Sequence, residues 1–133
     1  METVSFEIAK KLKEKGFPQR PDYFNYSSYY DWDGLRKIHS LSNASVWFDP
    51  NINRDNIYFA PTISQVLKWL REEKKIHIAI DLWLSGYAAM IYTGISKENN
   101  NFNWKDFYND QNKYETYELA TIAGIEYVID NLI

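Results

Sequence analysis

From Ile76 to Leu84 the chain alternates without a break: Ile76, Ile78, Ile80, Leu82 and Leu84 against His77, Ala79, Asp81 and Trp83. Strict period two is the mark of a strand with one buried face, because successive side chains point to opposite sides. Ser85-Gly86 follows and reads as a two-residue turn. The returning strand then sets Leu84 against Tyr87, Leu82 against Ala89, Ile80 against Ile91, Ile78 against Thr93 and Ile76 against Ile95. Apolar meets apolar along nearly the whole ladder, so pattern and turn agree. A chain holding such a hairpin must cover one sheet face.

Helices supply the cover. Ser5 is placed to cap a first helix with Ile8, Ala9 and Leu12 on its apolar stripe, and Gly16-Phe17-Pro18 to end it. Thr62 and Gln65 form a capping-box pattern ahead of Ile63, Val66, Leu67 and Leu70. A third helix is predicted from Thr116 to Asn131, apolar around most of its circumference, with Gly124 in its middle. Asp33-Gly34 is a favoured hairpin turn and sets Trp32 against Leu35, Asp31 against Arg36, Tyr30 against Lys37 and Tyr29 against Ile38. A further strand pair is predicted at Ala44–Phe48 and Ile57–Ala60. Residues 96–113 read as an Asn-rich loop with one short edge strand. The order is helix, four strands, helix, two or three strands, helix. Hairpin connections imply antiparallel pairing, hence an α+β fold with about five to seven strands packed on three helices. At 133 residues the chain fits one domain.

Composition excludes several functions. There is no cysteine, so disulfides, Cys-based zinc sites and thiol catalysis are out. No export signal opens the chain and no apolar run reaches the ~20 residues of a membrane span, so the expected location is the cytoplasm. The sequons at Asn25 and Asn43 are then chance matches. The net charge of −3 argues against a dedicated nucleic-acid binder. Charge is split: residues 1–75 balance at +2 and residues 76–133 at −5. Aromatics make up 17% of the chain and cluster, seven between Phe17 and Trp32 and six between Phe102 and Tyr117. The heavy use of Asn, Ile, Lys and Tyr also fits an AT-rich genome.

The segments Tyr58-Phe59-Ala60-Pro61-Thr62-Ile63-Ser64-Gln65, Lys68-Trp69-Leu70-Arg71-Glu72, Ile76-His77-Ile78 and Tyr114-Glu115-Thr116-Tyr117-Glu118 with Ala120 and Gly124-Ile125 resemble a small protein family of gut Bacteroidales genomes and their phages and integrated elements. The match covers roughly the second half of the chain, and Lys13-Glu14-Lys15-Gly16-Phe17 fits the same family. The resemblance implies a cytoplasmic mobile-element product. It carries no activity, ligand or catalytic residue.

Four constellations compete as sites. Tyr26, Tyr29, Tyr30 and Trp32 cannot all point inward on alternating strands, which suggests an aromatic surface for another protein or a second copy. Lys68, Trp69, Arg71 and Lys75 lie among basic helix residues and could meet nucleic acid, though Glu72 and Glu73 interrupt them. The outer face of the central hairpin carries His77, Asp81 and Trp83, with Tyr92 opposite Ala79 and Met90 opposite Asp81, and reads as a small-ligand platform. His77 and Asp81 lie about 13 Å apart on one strand, too far to act as a pair. His39 is the other histidine; a small hydrolase would need it or His77 beside a carboxylate. Asp31-Trp32-Asp33-Gly34 fails the spacing of a calcium loop. No phosphate loop or nucleophile motif occurs. The reading is therefore a non-enzymatic protein-binding module without cofactor or metal, with nucleic-acid association as the alternative.

Overall fold

The computed structural model describes residues 3–19, 27–30, 37–40, 57–109 and 112–133. The chain divides into two compact units, Met1–Ile63 and Ser64–Ile133. The architecture is α+β with antiparallel strands and three helices among the described residues, as the pattern predicts. Among the described residues the strands are spread over three sheets.

In the first unit, α1 spans Phe6–Glu14. The Ser5 side chain accepts from the Ile8 amide at 3.4 Å, and Ile8, Ala9 and Leu12 are buried. Gly16 takes φ +89°, its amide bonds the Lys13 carbonyl, and the Phe17 amide bonds the Leu12 carbonyl. That pair of bonds is the Schellman ending, and Phe17, at the position where the motif sets an apolar residue, is buried. Strands β1 (Ser27–Tyr30), β2 (Lys37–Ser40) and β3 (Tyr58–Phe59) form a sheet in the order β2-β1-β3. Tyr29 faces Ile38 and Tyr30 faces Lys37, the register that Asp33-Gly34 predicts. The turn itself lies outside the described residues, as does Ala44–Phe48, the strand expected beside 57–60. The described partner of β3 is β1, with Tyr29 opposite Phe59.

The second helix, α2 (Ile63–Glu73), buries Val66, Trp69 and Leu70. It ends on Lys75 at φ +57°, where the Ile76 amide reaches back to the Leu70 carbonyl at 2.9 Å. This is a helix stop that normally employs glycine, and a side chain there costs energy. Lys75→Gly is expected to raise stability by about 1 kcal/mol, read as a higher urea midpoint at unchanged slope.

Strands β4 (His77–Trp83), β5 (Gly86–Thr93) and β8 (Asp106–Asn109) form the main sheet of the second unit, in the order β4-β5-β8. The predicted hairpin is present but its register differs by two residues. Ile78 faces Ile91, Ile80 faces Ala89, Leu82 faces Tyr87 and Trp83 faces Gly86, so Leu84-Ser85 is the turn. Gly86 is needed elsewhere: its φ is +133°, and a Cβ there would lie 2.6 Å from the Tyr114 carbonyl oxygen. Tyr87 and Tyr114 exchange both backbone bonds at 2.8 Å. A shift of two leaves every side chain on its predicted face, which is why the period-two pattern could not detect it.

Residues 96–109 are three short strands, not the predicted loop with one strand. Strands β6 (Ser96–Glu98) and β7 (Asn101–Asn103) pair around Asn99-Asn100, both at positive φ. Asn tolerates that conformation, so a pair of asparagines closes a hairpin that an Asn-rich composition disguises as loop.

Helix α3 (Tyr117–Asn131) starts at Thr116, whose hydroxyl accepts from the Leu119 amide at 3.1 Å. It lies against β4 and β5. A Cβ on Gly124 would sit 3.0 Å from the Ile78 side chain and 3.1 Å from the Ala89 Cβ. Close approach of helix to sheet explains the glycine. Ala120, Ile125, Val128 and Ile129 are buried, whereas Leu119 and Tyr127 remain exposed on this nearly all-apolar helix.

Candidate interaction surface

With α3 over the face of Ile78, Ala89 and Ile91, the opposite face of the main sheet carries His77, Tyr92 and Phe107 in one row across its strands. His77 is opposite Tyr92 in β5, and Tyr92 is opposite Phe107 in β8. The two-residue shift in register thus gives Tyr92 a histidine neighbour where Ala79 was predicted, and sets Met90 opposite Ala79 instead of Asp81. Ring centroids are 6.3 Å apart for His77 and Tyr92, and 5.0 Å for Tyr92 and Phe107. Trp104, between β7 and β8, makes an edge-to-face pair with Tyr92 at 5.1 Å. These are ordinary separations for interacting rings. Trp104 nevertheless stays 55% exposed and Phe107 45% exposed. Tyr92 is thus packed against two rings that keep about half of their own area facing outward.

His77 is half-buried. Desolvation lowers its pKa, and the nearby Arg71 guanidinium lowers it further. The folded chain therefore holds fewer protons on this group than the unfolded chain does. Its contribution is complete above the ordinary histidine value of about 6.5 and is lost as pH falls below it. Stability is expected to decline between about pH 7 and pH 5, and His77→Gln to flatten that decline, measured by urea unfolding at each pH.

Other sequence-predicted residues are placed differently. Tyr26 and Trp32 lie outside the described residues. Tyr29 is 1% exposed and packs against Phe59 at 5.5 Å, which leaves it almost no area for a partner. Tyr30 is half-buried against Phe6, and its hydroxyl donates to the Val4 carbonyl at 2.7 Å. Burial pushes its phenol up, partly offset by a hydrogen bond with Thr3. Both tyrosines belong to the packing of the first unit. Lys68, Arg71 and Lys75 are exposed as predicted for a basic surface, but Trp69 is buried and Lys74 Nζ stands 5.2 Å from its ring centre. Trp69 is not available to stack on a base.

Asp81 accepts from the Leu82 amide at 3.1 Å, and Trp83 carries the Lys113 ammonium 5.3 Å above its ring. His39 stands opposite Ser28 in β2. Among the described residues, no three His, Cys, Asp or Glu side chains cluster to hold a metal ion. No described helix is long and apolar enough to cross a membrane. Sequence reasoning missed Trp104 and Phe107 as site residues. Their signal was present in the spaced aromatics Phe102, Trp104 and Phe107, set in an otherwise polar stretch. Scans against protein-family models, curated proteins and solved structures find no match to this chain.

Proposed function

We propose that this chain is a non-enzymatic, cytoplasmic interaction protein that binds another protein through the rings of Tyr92, Trp104 and Phe107. The observation that carries this reading is the exposure of Trp104 and Phe107 within a packed ring cluster. Isolated exposed aromatics are commonplace, but a contiguous group with fixed geometry marks a contact surface. Rings already packed on one another lose little side-chain freedom on binding, so more of the burial energy appears as affinity. The balance of −5 over residues 76–133 favours a partner with a basic rim. Nucleic acid is the weaker reading, because the aromatic meant to stack, Trp69, is buried.

The resemblance to mobile-element products of gut Bacteroidales makes a Bacteroidales lysate the place to look. The double variant Trp104→Ala, Phe107→Ala removes both outward-facing rings, and circular dichroism checks that the fold is kept despite the lost packing on Tyr92. A protein partner retained by the wild type after nuclease treatment is expected to be lost or weakened at least ~10-fold in the variant. Retention of the same partner by both proteins would refute the assignment.

A further inference from the structure

Strand β4 forms one edge of the main sheet, and among the described residues no strand pairs with its outer side. Its backbone polarity is fixed by the neighbouring strand. Tyr87 spends both its N–H and its C=O on Tyr114, so its cross-strand neighbour Leu82 directs its own groups away from β5. By alternation Ile78 and Ile80 do the same. The Leu82 amide is met by the Asp81 carboxylate of its own strand. The edge is seven residues long and contains no proline. Leu82 is 67% exposed and Trp83 47% exposed. Natural sheets usually blunt such an edge with proline, charged side chains or a bulge, and here Asp81 is the one carboxylate among the seven residues.

We infer that β4 pairs antiparallel with β4 of a second copy of this chain, about a two-fold axis at Ile80. In that register all seven residues pair. Ile80 meets Ile80, Ile78 meets Leu82, Ala79 meets Asp81 and His77 meets Trp83. The outward N–H and C=O groups of Ile78 and Ile80 and the C=O of Leu82 find partners in the other copy, where the Leu82 amide exchanges the Asp81 carboxylate for a carbonyl of the facing strand. No like charges face each other, whereas moving the axis to Asp81 would oppose two carboxylates. Moving it to Ala79 would leave Trp83 unpaired. The apolar pairs Ile80–Ile80 and Ile78–Leu82, with the one carboxylate of the strand set opposite Ala79, are what favour a second copy over a foreign strand. The assignment is independent of the Tyr92–Trp104–Phe107 surface and uses different residues.

The absence of cysteine gives a clean test. Ile80→Cys places two thiols opposite each other across the axis, at the ~5.5 Å Cα separation of a hydrogen-bonded pair. A short bismaleimide should link it into a covalent dimer. His77→Cys puts its two thiols about 20 Å apart and should remain unlinked. Adding Leu82→Lys, on an exposed side chain, should abolish linking of Ile80→Cys while circular dichroism shows an unchanged fold. Light scattering of the wild type should show the mass rising toward twice the chain mass as concentration increases. A chain of monomer mass at every concentration, no linking of Ile80→Cys, or equal linking at positions 77 and 80 would each overturn the inference.

Discussion

Replacing Gly86 with alanine is expected to cost about 3 kcal/mol, one of the largest effects of any single-methyl change in this chain. Two independent penalties meet there. The backbone is at φ +133°, a region that side-chain-bearing residues rarely enter, and the new methyl would lie 2.6 Å from the carbonyl oxygen of Tyr114. The obstacle is a backbone atom, so no rotamer change relieves it. Tyr114 must move, and its paired bonds with Tyr87 lengthen or break. The measurement is the urea midpoint of wild type and variant, with the slope unchanged if only stability has altered. Loss below ~0.5 kcal/mol would mean that residues 84–86 do not have the described conformation.

Gly124→Val should be comparably severe, at about 3 kcal/mol, and it probes the seat of α3 on the sheet. The first added atom alone would stand 3.0 Å from the Ile78 methyl and 3.1 Å from the Ala89 Cβ. Ile78 has a side chain that can yield. Ala89 Cβ is fixed to the backbone of β5 and cannot. Valine then adds two further methyl groups to a fully packed contact. Gly124→Ala is the informative companion. Its gain in helix propensity, about 1 kcal/mol, opposes the crowding, so its net effect should be much smaller than that of valine. Equal stabilities for the valine variant and the wild type would place α3 farther from β4 and β5.

The contrast between these two glycines shows which features a sequence can carry. Gly124 was recognisable, because a glycine inside an apolar helix has no local purpose and points to a close neighbour. The role of Gly86 is not legible, because Ser85-Gly86 is acceptable turn chemistry in isolation. Its real constraint is Tyr114, distant along the chain, and no local pattern encodes that. The faces of the central hairpin survived the error because a two-residue slip preserves them. The first hairpin kept its register at Tyr29–Ile38 and Tyr30–Lys37, where a turn motif and strand alternation reinforced each other. Helix α1 followed its punctuation from Ser5 to Phe17.

The candidate surface was less legible for a physical reason. Local pattern shows which residues share a face, but exposure depends on what the fold lays over that face. Trp69 sits among charged residues on a helix and reads as outward, yet it is buried. Tyr29 belongs to the densest aromatic stretch and is buried as well. Trp104 and Phe107 stand in a polar stretch and read as loop decoration, yet pairing of β8 with β5 brings them beside Tyr92.

The decisive measurement is oxidative footprinting of the protein alone and of the protein captured with a partner from a nuclease-treated cell lysate. If the ring cluster is the contact surface, Trp104, Phe107 and Tyr92 lose reactivity in the captured complex, while exposed Phe102 and Tyr117 keep theirs. Undiminished reactivity of Trp104 and Phe107 in the complex, with protection elsewhere, would contradict the assignment.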